Sequence, residues 1–343
     1  MTRAPFELAG VSVAPGSRIQ IDVPVARLYT HAPLHIPVEV IHGRQAGPVL
    51  LVCGAIHGDE INGVEIVRRL LRSRQLQRLR GTLMAVPIVN VFGFVQQIRY
   101  LPDRRDLNRC FPGSESGSLG GRVAALFRQQ IVDQATHVID LHTGAIHRTN
   151  LPQIRAQLGN GGETEDMANA FGAPVIINAD LRDGSLRHYA QSRGTPVLTY
   201  EAGEALRFDE WAIAPGVRGV LRVMRRLGML SSEKRHRDPP AAEVANSSSW
   251  ARAPIDGILR PQVRLGARVA KGEVLGRVAD PFGNAEGEVL AMADGIVIGM
   301  GRLPLVNEGE ALFHIARFEA IEEAESAVED FQSSLEPPPD SLY

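Results

Sequence analysis

His57-Gly58-Asp59-Glu60 sets an imidazole and a carboxylate three residues apart around a glycine. In a tight turn both side chains can converge on one point. His142 ends the apolar run THVIDLH, so it can bring a third donor from a separate strand end. Two histidines and one carboxylate, with a coordination position left open for water, form the ligand set of a hydrolytic zinc site. The tetrapeptide alone would not carry that reading, because H-x-x-E more often serves a surface or capping role. A second constellation is Arg105-Asp106-Leu107-Asn108-Arg109. An adjacent asparagine and arginine can grip a carboxylate, the guanidinium fork giving two parallel charge-assisted hydrogen bonds. The third is Tyr200-Glu201-Ala202-Gly203-Glu204. Glu201 ends an apolar run, where a carboxylate is costly to bury without a cation or a proton. A water held by a nearby metal would account for it.

These residues need elements to position them. From about Ile36 onward, short β-rich runs alternate with helical ones. GPVLLVCG is almost continuously apolar and stops at glycine, as expected of a strand buried on both faces. NGVEIVRRLLRSRQL follows, with Val64, Val67, Leu70 and Leu71 on one helical face and arginines on the other. GTLMAVPIVN, THVIDLHTG, APVIIN and TPVLTYEAG read as further strands. This order predicts an α/β fold with a mixed, largely parallel sheet flanked by helices. Ligands in such folds gather beyond the carboxyl ends of strands. His57, Glu60, His142 and Glu201 all stand where apolar strands finish.

The 343 residues exceed what one hydrophobic core usually serves, which favours two domains. An N-terminal segment, 1–34, would precede a catalytic domain over 35–230. The stretch 231–249, SSEKRHRDPPAAEVANSSS, has the composition of a linker. Residues 250–318 then turn glycine-rich, with short β-like runs and a weak internal repeat. Ala253-x-x-Asp256-Gly257-Ile258 is echoed by Ala291-x-x-Asp294-Gly295-Ile296, and Val269-x-x-Gly272-Glu273 by Val306-x-x-Gly309-Glu310. Two related halves with these turn signals predict a small all-β domain, similar to the barrel-sandwich of biotin and lipoate carriers. Leu290-Ala291-Met292-Ala293-Asp294 lacks the lysine that such a carrier needs, so a swinging-arm role is rejected. The acidic tail, 319–343, should begin as a helix and end disordered.

A net charge of −2 gives no sign of a nucleic-acid or anionic-membrane partner. The arginines between Arg68 and Arg80 read as a solvated helix face. Two cysteines, Cys53 and Cys110, are too few for a disulfide framework, and a reducing cytoplasm is the simplest setting. MTRAPFELAG lacks the apolar core of a signal peptide, and no stretch is apolar and long enough for a bilayer. Oligomeric order stays open, a homo-oligomer included.

In order along the chain, GAIHGDE, DLNRCFPG, IDLHTG and TYEAGE resemble the succinylglutamate desuccinylase/aspartoacylase family, a branch of the zinc carboxypeptidase superfamily. The resemblance covers roughly residues 35–225 and rests on four ordered motifs. It implies one zinc ion held by His57, Glu60 and His142, with Glu201 as the catalytic acid/base. It implies Asn108 and Arg109 as binders of a substrate carboxylate, and Asp106 as the partner fixing a ligand histidine's tautomer. Arg99 resembles an arginine that polarises the scissile carbonyl, although its spacing to DLNR is longer than in aspartoacylase and Arg105 competes. One more substrate arginine should precede Glu201; Arg187 is favoured over Arg193. His137, His147 and His188 match no metal position, and packing suits Cys110. The implied reaction is hydrolysis of an amide beside a free carboxylate, in a small N-acyl amino acid. A carboxypeptidase acting on a short peptide would use the same residues, and a non-catalytic binding protein is the reading of another class.

Overall fold

The computed structural model describes residues 3–159, 162–231 and 242–335. Its central strand is Gln45–Gly54, and its side chains explain the layers on either side. Leu50 and Val52 point into one core with the helices Asn62–Leu71, Glu163–Phe171 and Glu210–Arg226. Leu51 and Cys53 point into the other, with Val123 and Phe127 of the helix Leu119–Gln130. Alternate residues thus serve opposite faces, and both faces are apolar because both are covered.

Gln45–Gly54 pairs in parallel with Arg80–Val86 on one side and His137–Gly144 on the other. His137–Gly144 in turn pairs in parallel with Val197–Glu204. Antiparallel strands flank this parallel centre: Pro33–His42 beside Arg80–Val86, and Arg148–Ala156 beside Val197–Glu204. The expected mixed, largely parallel sheet is therefore parallel at its centre and antiparallel at both flanks. In the helix Asn62–Leu71 the buried stripe is Gly63, Ile66, Val67 and Leu70, at the i, i+3, i+4, i+7 spacing of one face. Val64 and Leu71, expected on that face, are only partly buried. Arg68 and Arg69 lie on the solvated side and share Glu65, but the helix ends at Leu71, so the other arginines up to Arg80 are not on its face: Arg74 and Arg78 belong to a separate short turn and Arg80 to the next strand.

Three boundaries differ from expectation. The segment 1–34 contains the strand Ser17–Arg27, which pairs with Pro33–His42 and forms the sheet's edge. Of the expected linker, 232–241 lies outside the described residues, while Glu243–Ala245 and Ser247–Arg252 are strands. Serine-rich composition concealed them, because Ser247–Arg252 takes its order from pairing with Ala311–Arg317. The β region beyond residue 250 also shares a sheet with the rest: Gly295–Gly301 pairs with Arg148–Ala156. Among the described residues one 13-stranded sheet runs through both regions. A separate four-stranded sheet packs on its C-terminal end, and Leu259, Leu275 and Val289 of that sheet share a core with Phe313 and Ile315.

The internal repeat appears as reciprocal turns. Asp256 Oδ1 accepts the Glu308 N–H at 2.8 Å, and Asp294 Oδ1 accepts the Lys271 N–H at 2.7 Å. Each Asp-Gly turn thus caps the Gly-Glu turn of the other half. The tail begins as the helix Ile321–Ser333. Its expected disordered end, 336–343, lies outside the described residues. No helix among the described residues is long and apolar enough to cross a membrane.

Candidate active site

The loop after Gln45–Gly54 carries His57 and Glu60, both almost fully buried. Gly58 is required between them: a Cβ there would lie 2.1 Å from the backbone carbonyl carbon of Gly93. His142 arrives from the neighbouring parallel strand. Glu60 is the hub of the cluster. Its Oε1 pairs with His57 Nδ1 at 2.7 Å and accepts from Arg99 at 2.9 Å. Its Oε2 pairs with His142 Nδ1 at 2.8 Å and accepts the Thr143 N–H at 3.1 Å. The far nitrogens also face carboxylates, His57 Nε2 at 3.0 Å from Asp106 and His142 Nε2 at 2.8 Å from Asp140.

An imidazole with a carboxylate at each nitrogen is set up to hold two protons. Burial opposes the charge on both rings. For His57 the Glu60 charge and the Asp106 hydrogen bond outweigh it, and for His142 the Asp140 and Glu60 charges do, so both pKa values are raised. Burial likewise works against a charged Glu60, but the two histidines hold its carboxyl well below the usual range. The three ligand atoms lie within 4.8 Å of one another. Donors around a tetrahedral zinc with bonds of about 2 Å stand roughly 3.3 Å apart, so the set fits after the Glu60 contacts open by about half an ångström. A metal would take the place of the Nδ1 protons, while Asp106 and Asp140 keep both rings oriented.

Glu201 stands opposite His142 in the register of adjacent parallel strands. Strands in a sheet are about 4.8 Å apart and residues in register share a face, so the carboxylate belongs to the same site. Its cation is Arg155, whose Nε lies 3.2 Å from Oε1, though without hydrogen-bond alignment. Asn150 donates to Oε2 at 2.9 Å. Asp106 accepts the Asn108 N–H at 2.8 Å and so caps the short turn Leu107–Arg109. Asn108 Oδ1 accepts the Leu186 N–H at 2.8 Å, which leaves its NH2 for a ligand.

His57, Glu60, His142, Glu201, Asn150 and Arg155 line a cavity of about 460 Å³. Arg99, Asn108, Arg109 and Arg187 all reach it. Arg99 is tied to Asp106 as well as to Glu60. Arg105, its competitor, points away and pairs with Asp103. Arg187 is buried and donates to the Ala179 and Asp180 carbonyls, and burial, with Arg155 nearby, pulls its pKa down. Arg193 instead pairs with Asp133. His137, His147 and His188 lie outside the lining. Cys110 packs at the margin of the core beneath the second face.

Several residues in or behind the cavity wall were not anticipated. Asp140 had a signal, since a carboxylate two residues before His142 on a strand shares its face. Asn150, Arg148 and Arg155 come from Arg148–Ala156, a strand that sequence patterning had not revealed. Ser248, Trp250 and His314 come from the C-terminal β region, which therefore forms one wall.

Residues 46–227 match the model of the succinylglutamate desuccinylase/aspartoacylase catalytic domain. The chain is 29% identical over 292 residues to an N-alpha-acetyl-L-2,4-diaminobutyric acid deacetylase of Halomonas elongata, covering 82% of this chain and 85% of that one. Among solved structures it is similar to a succinylglutamate desuccinylase/aspartoacylase from Rhodobacter sphaeroides, with a TM-score of 0.78, 26% identity, and coverage of 88% and 96%. It is also similar to the product-bound ectoine utilization protein EutE (DoeB) from Ruegeria pomeroyi, with a TM-score of 0.78, 25% identity, and coverage of 87% and 95%. A family model that spans over half the chain, on a fold that gathers all four motifs at one cavity, decides the matter: the chain belongs to the succinylglutamate desuccinylase/aspartoacylase family.

Proposed function

We propose that this chain is a zinc-dependent deacylase that hydrolyses the amide of a small N-acyl amino acid bearing a free carboxylate. The observation that carries the reading is the buried His57–Glu60–His142 group beside Glu201 in a cavity rimmed by arginines. The Halomonas elongata relative, named as a deacetylase of an N-acetyl amino acid, supports the same reaction class. The cavity volume of about 460 Å³ is in the range of small-molecule sites. That size favours a compact substrate over an extended peptide.

Zinc held by His57, Glu60 and His142 would supply a Lewis acid and make a water acidic near neutral pH. Glu201 takes the proton of the attacking water and returns it to the departing amide nitrogen. Arg155 and Asn150 hold the Glu201 carboxylate for that task. Arg109, with the free NH2 of Asn108, grips the substrate carboxylate and so orients the scissile carbonyl. Arg99 supplies positive charge where oxygen becomes negative. Arg187 adds a buried guanidinium to the substrate end of the cavity. The two free cysteines, Cys53 and Cys110, fit a reducing cytoplasm.

Zinc-loaded protein assayed against N-acyl amino acids and short peptides tests the reaction class. Glu201→Gln should retain zinc in metal analysis and lose about two orders of magnitude or more in turnover. A variant nearly as active as wild type would remove Glu201 from the base role. Purified protein with no zinc, and no turnover when zinc is added, would favour a binding protein instead.

A further inference from the structure

A second cavity, of about 1260 Å³, shares no lining residue with the first. It opens where the strand Gln45–Gly54 begins, whereas His57 and Glu60 follow that strand's other end. The ten residues of the strand put about 30 Å between the two sites. Seven arginines line this cavity, and among the described residues no carboxylate does. The same excess shows in the sequence, where no acidic residue occurs between Glu65 and Asp103.

Two of the arginines already serve the protein. Arg18 pairs with Glu39 and donates to the Leu71 carbonyl at 2.8 Å, at the end of the helix Asn62–Leu71. Arg225, near the end of the helix Glu210–Arg226, donates to Gln75 Oε1 at 2.9 Å. A helix C-terminus carries about half a negative charge, so two such ends call for about one cation between them. Arg44, Arg72, Arg74, Arg78 and Arg80 exceed that need. All five are exposed and form no ion pair among the described residues.

Their backbone is held from several directions. Leu76 and Leu79 are buried and anchor the short turn Arg74–Arg78, which Ser73 Oγ caps by accepting the Gln75 N–H at 3.4 Å. Gly43, just before Arg44, packs on the exit of that turn: a Cβ there would lie 2.1 Å from the Leu79 carbonyl oxygen. The Arg44 side chain lies over Gly16, where a Cβ would come within 2.8 Å of its Nε. Arg80 donates its N–H to the Met229 carbonyl at 2.9 Å, just beyond the second helix. Like charges gathered in this way repel, and an anion that reaches several at once offsets the repulsion.

We propose that this second cavity binds a linear phosphate chain through Arg44, Arg72, Arg74, Arg78 and Arg80. Guanidinium forks match phosphate oxygens in pairs. A phosphate chain carries charge at every link, so one ligand can meet several of these side chains, which a single carboxylate or phosphate cannot. The volume of about 1260 Å³ exceeds the roughly 300–1,000 Å³ of most small-molecule sites and leaves room for such a chain. No Phe, Tyr or Trp lines the cavity, so a nucleobase has no ring to stack on. The phosphates themselves are recognised, whether in free polyphosphate or in the tail of a nucleotide. This site does not depend on the deacylase reading.

The test is calorimetry on the full chain at low salt, with tripolyphosphate as the probe. Wild type should bind it at least about tenfold tighter than inorganic phosphate, and Arg74→Gln/Arg78→Gln should lose about tenfold or more of that affinity. Arg44→Gln, on a different turn, should weaken binding in the same direction, which separates lost contacts from a local folding defect in the double variant. Arg104→Gln/Arg122→Gln removes equal charge elsewhere and should change affinity by less than about twofold. Arg109→Gln, in the active-site cavity, should also retain the affinity; a loss there would place the phosphate chain at the active site and overturn the proposal. ATP binding as tightly as tripolyphosphate supports a nucleotide tail as the source, and weaker binding of ATP supports free polyphosphate. ATP binding about tenfold tighter than tripolyphosphate overturns the proposal, because the site would then read the base. So does an oligouridylate that outbinds polyphosphate of equal phosphate number, which would mark a single-stranded nucleic-acid site. No binding by wild type, or unchanged binding by R74Q/R78Q, overturns it as well.

Discussion

Asp140 shows how much of the proposed metal cluster depends on residues that would never touch the ion. It is 1% exposed, faces His142 Nε2 at 2.8 Å, and takes the Cys53 thiol at 3.5 Å. With Asp106 doing the same for His57, each imidazole is held in one orientation, and negative charge behind it raises its basicity. Asp140→Asn keeps the shape and removes the charge. Zinc affinity should fall about 10- to 100-fold, read by competition with a chromophoric chelator; an unchanged affinity would mean that packing alone orients His142. Asp106→Asn should act in the same direction, with a second consequence at Asn108, whose N–H it also accepts. At this scale the sequence was informative. His57, Glu60, His142 and Glu201 all stand just beyond apolar strands, so the residues that the fold gathers at one cavity could be picked out from the sequence. Asp140 was missed although its spacing to His142 was visible, because a buried aspartate inside a strand signals nothing until its partner is known.

The elements fall into two kinds, those legible from apolar runs and those that are not. Gln45–Gly54 and His137–Gly144 are buried on both faces by apolar layers, and their sequences say so. Arg148–Ala156 is equally central, yet reads RTNLPQIRA. Its polar side chains reach the cavity and Glu201, so the alternation that marks a strand is broken by the function the strand serves. Ser247–Arg252 escaped notice for a related reason, since its order comes from a partner strand remote in sequence. Glycine placement can be tested at this level. The loop carrying His57 and Glu60 packs on the helix Val91–Gln96, and a Cβ at Gly58 would meet the backbone of Gly93 and Phe94 at 2.1 and 2.3 Å. Backbone cannot swing aside as a flexible side chain does. Gly58→Ala should therefore cost about 1–3 kcal/mol in urea unfolding and weaken zinc binding as the loop shifts. Gly159→Ala, with nothing within 4 Å of its Cβ, is the control that should change neither. Equal behaviour of the two variants would show that the loop relaxes freely.

Across the whole molecule, the shared sheet makes the C-terminal β region part of the catalytic body, and His314 is where that union meets solvent pH. Burial, with Arg155, Arg148 and Arg182 adding repulsion, pushes the His314 pKa down to about 3 from an ordinary 6.5. The folded state therefore keeps this imidazole neutral where the unfolded chain would protonate it. Between those two values the unfolded state binds more protons, so stability rises with pH and is lost as pH falls from about 6.5 toward 3. At about 1.4 kcal/mol per unit, the loss from this one ring reaches on the order of a few kcal/mol at the acid end. His57 and His142 act in the opposite sense in metal-free protein, their raised values favouring the fold at low pH, so the total slope alone is not diagnostic. The difference between wild type and His314→Gln is. In metal-free protein the urea midpoint of wild type should fall more steeply from pH 7 to pH 5 than that of the variant. Trp250 offers a local probe, because it stacks on the titrating ring. Its fluorescence should report the acid transition together with the far-ultraviolet signal if sheet continuity makes the two regions unfold as one. Parallel slopes in the two proteins would show that His314 titrates with its ordinary pKa, and a Trp250 transition preceding global unfolding would show that the C-terminal wall detaches first.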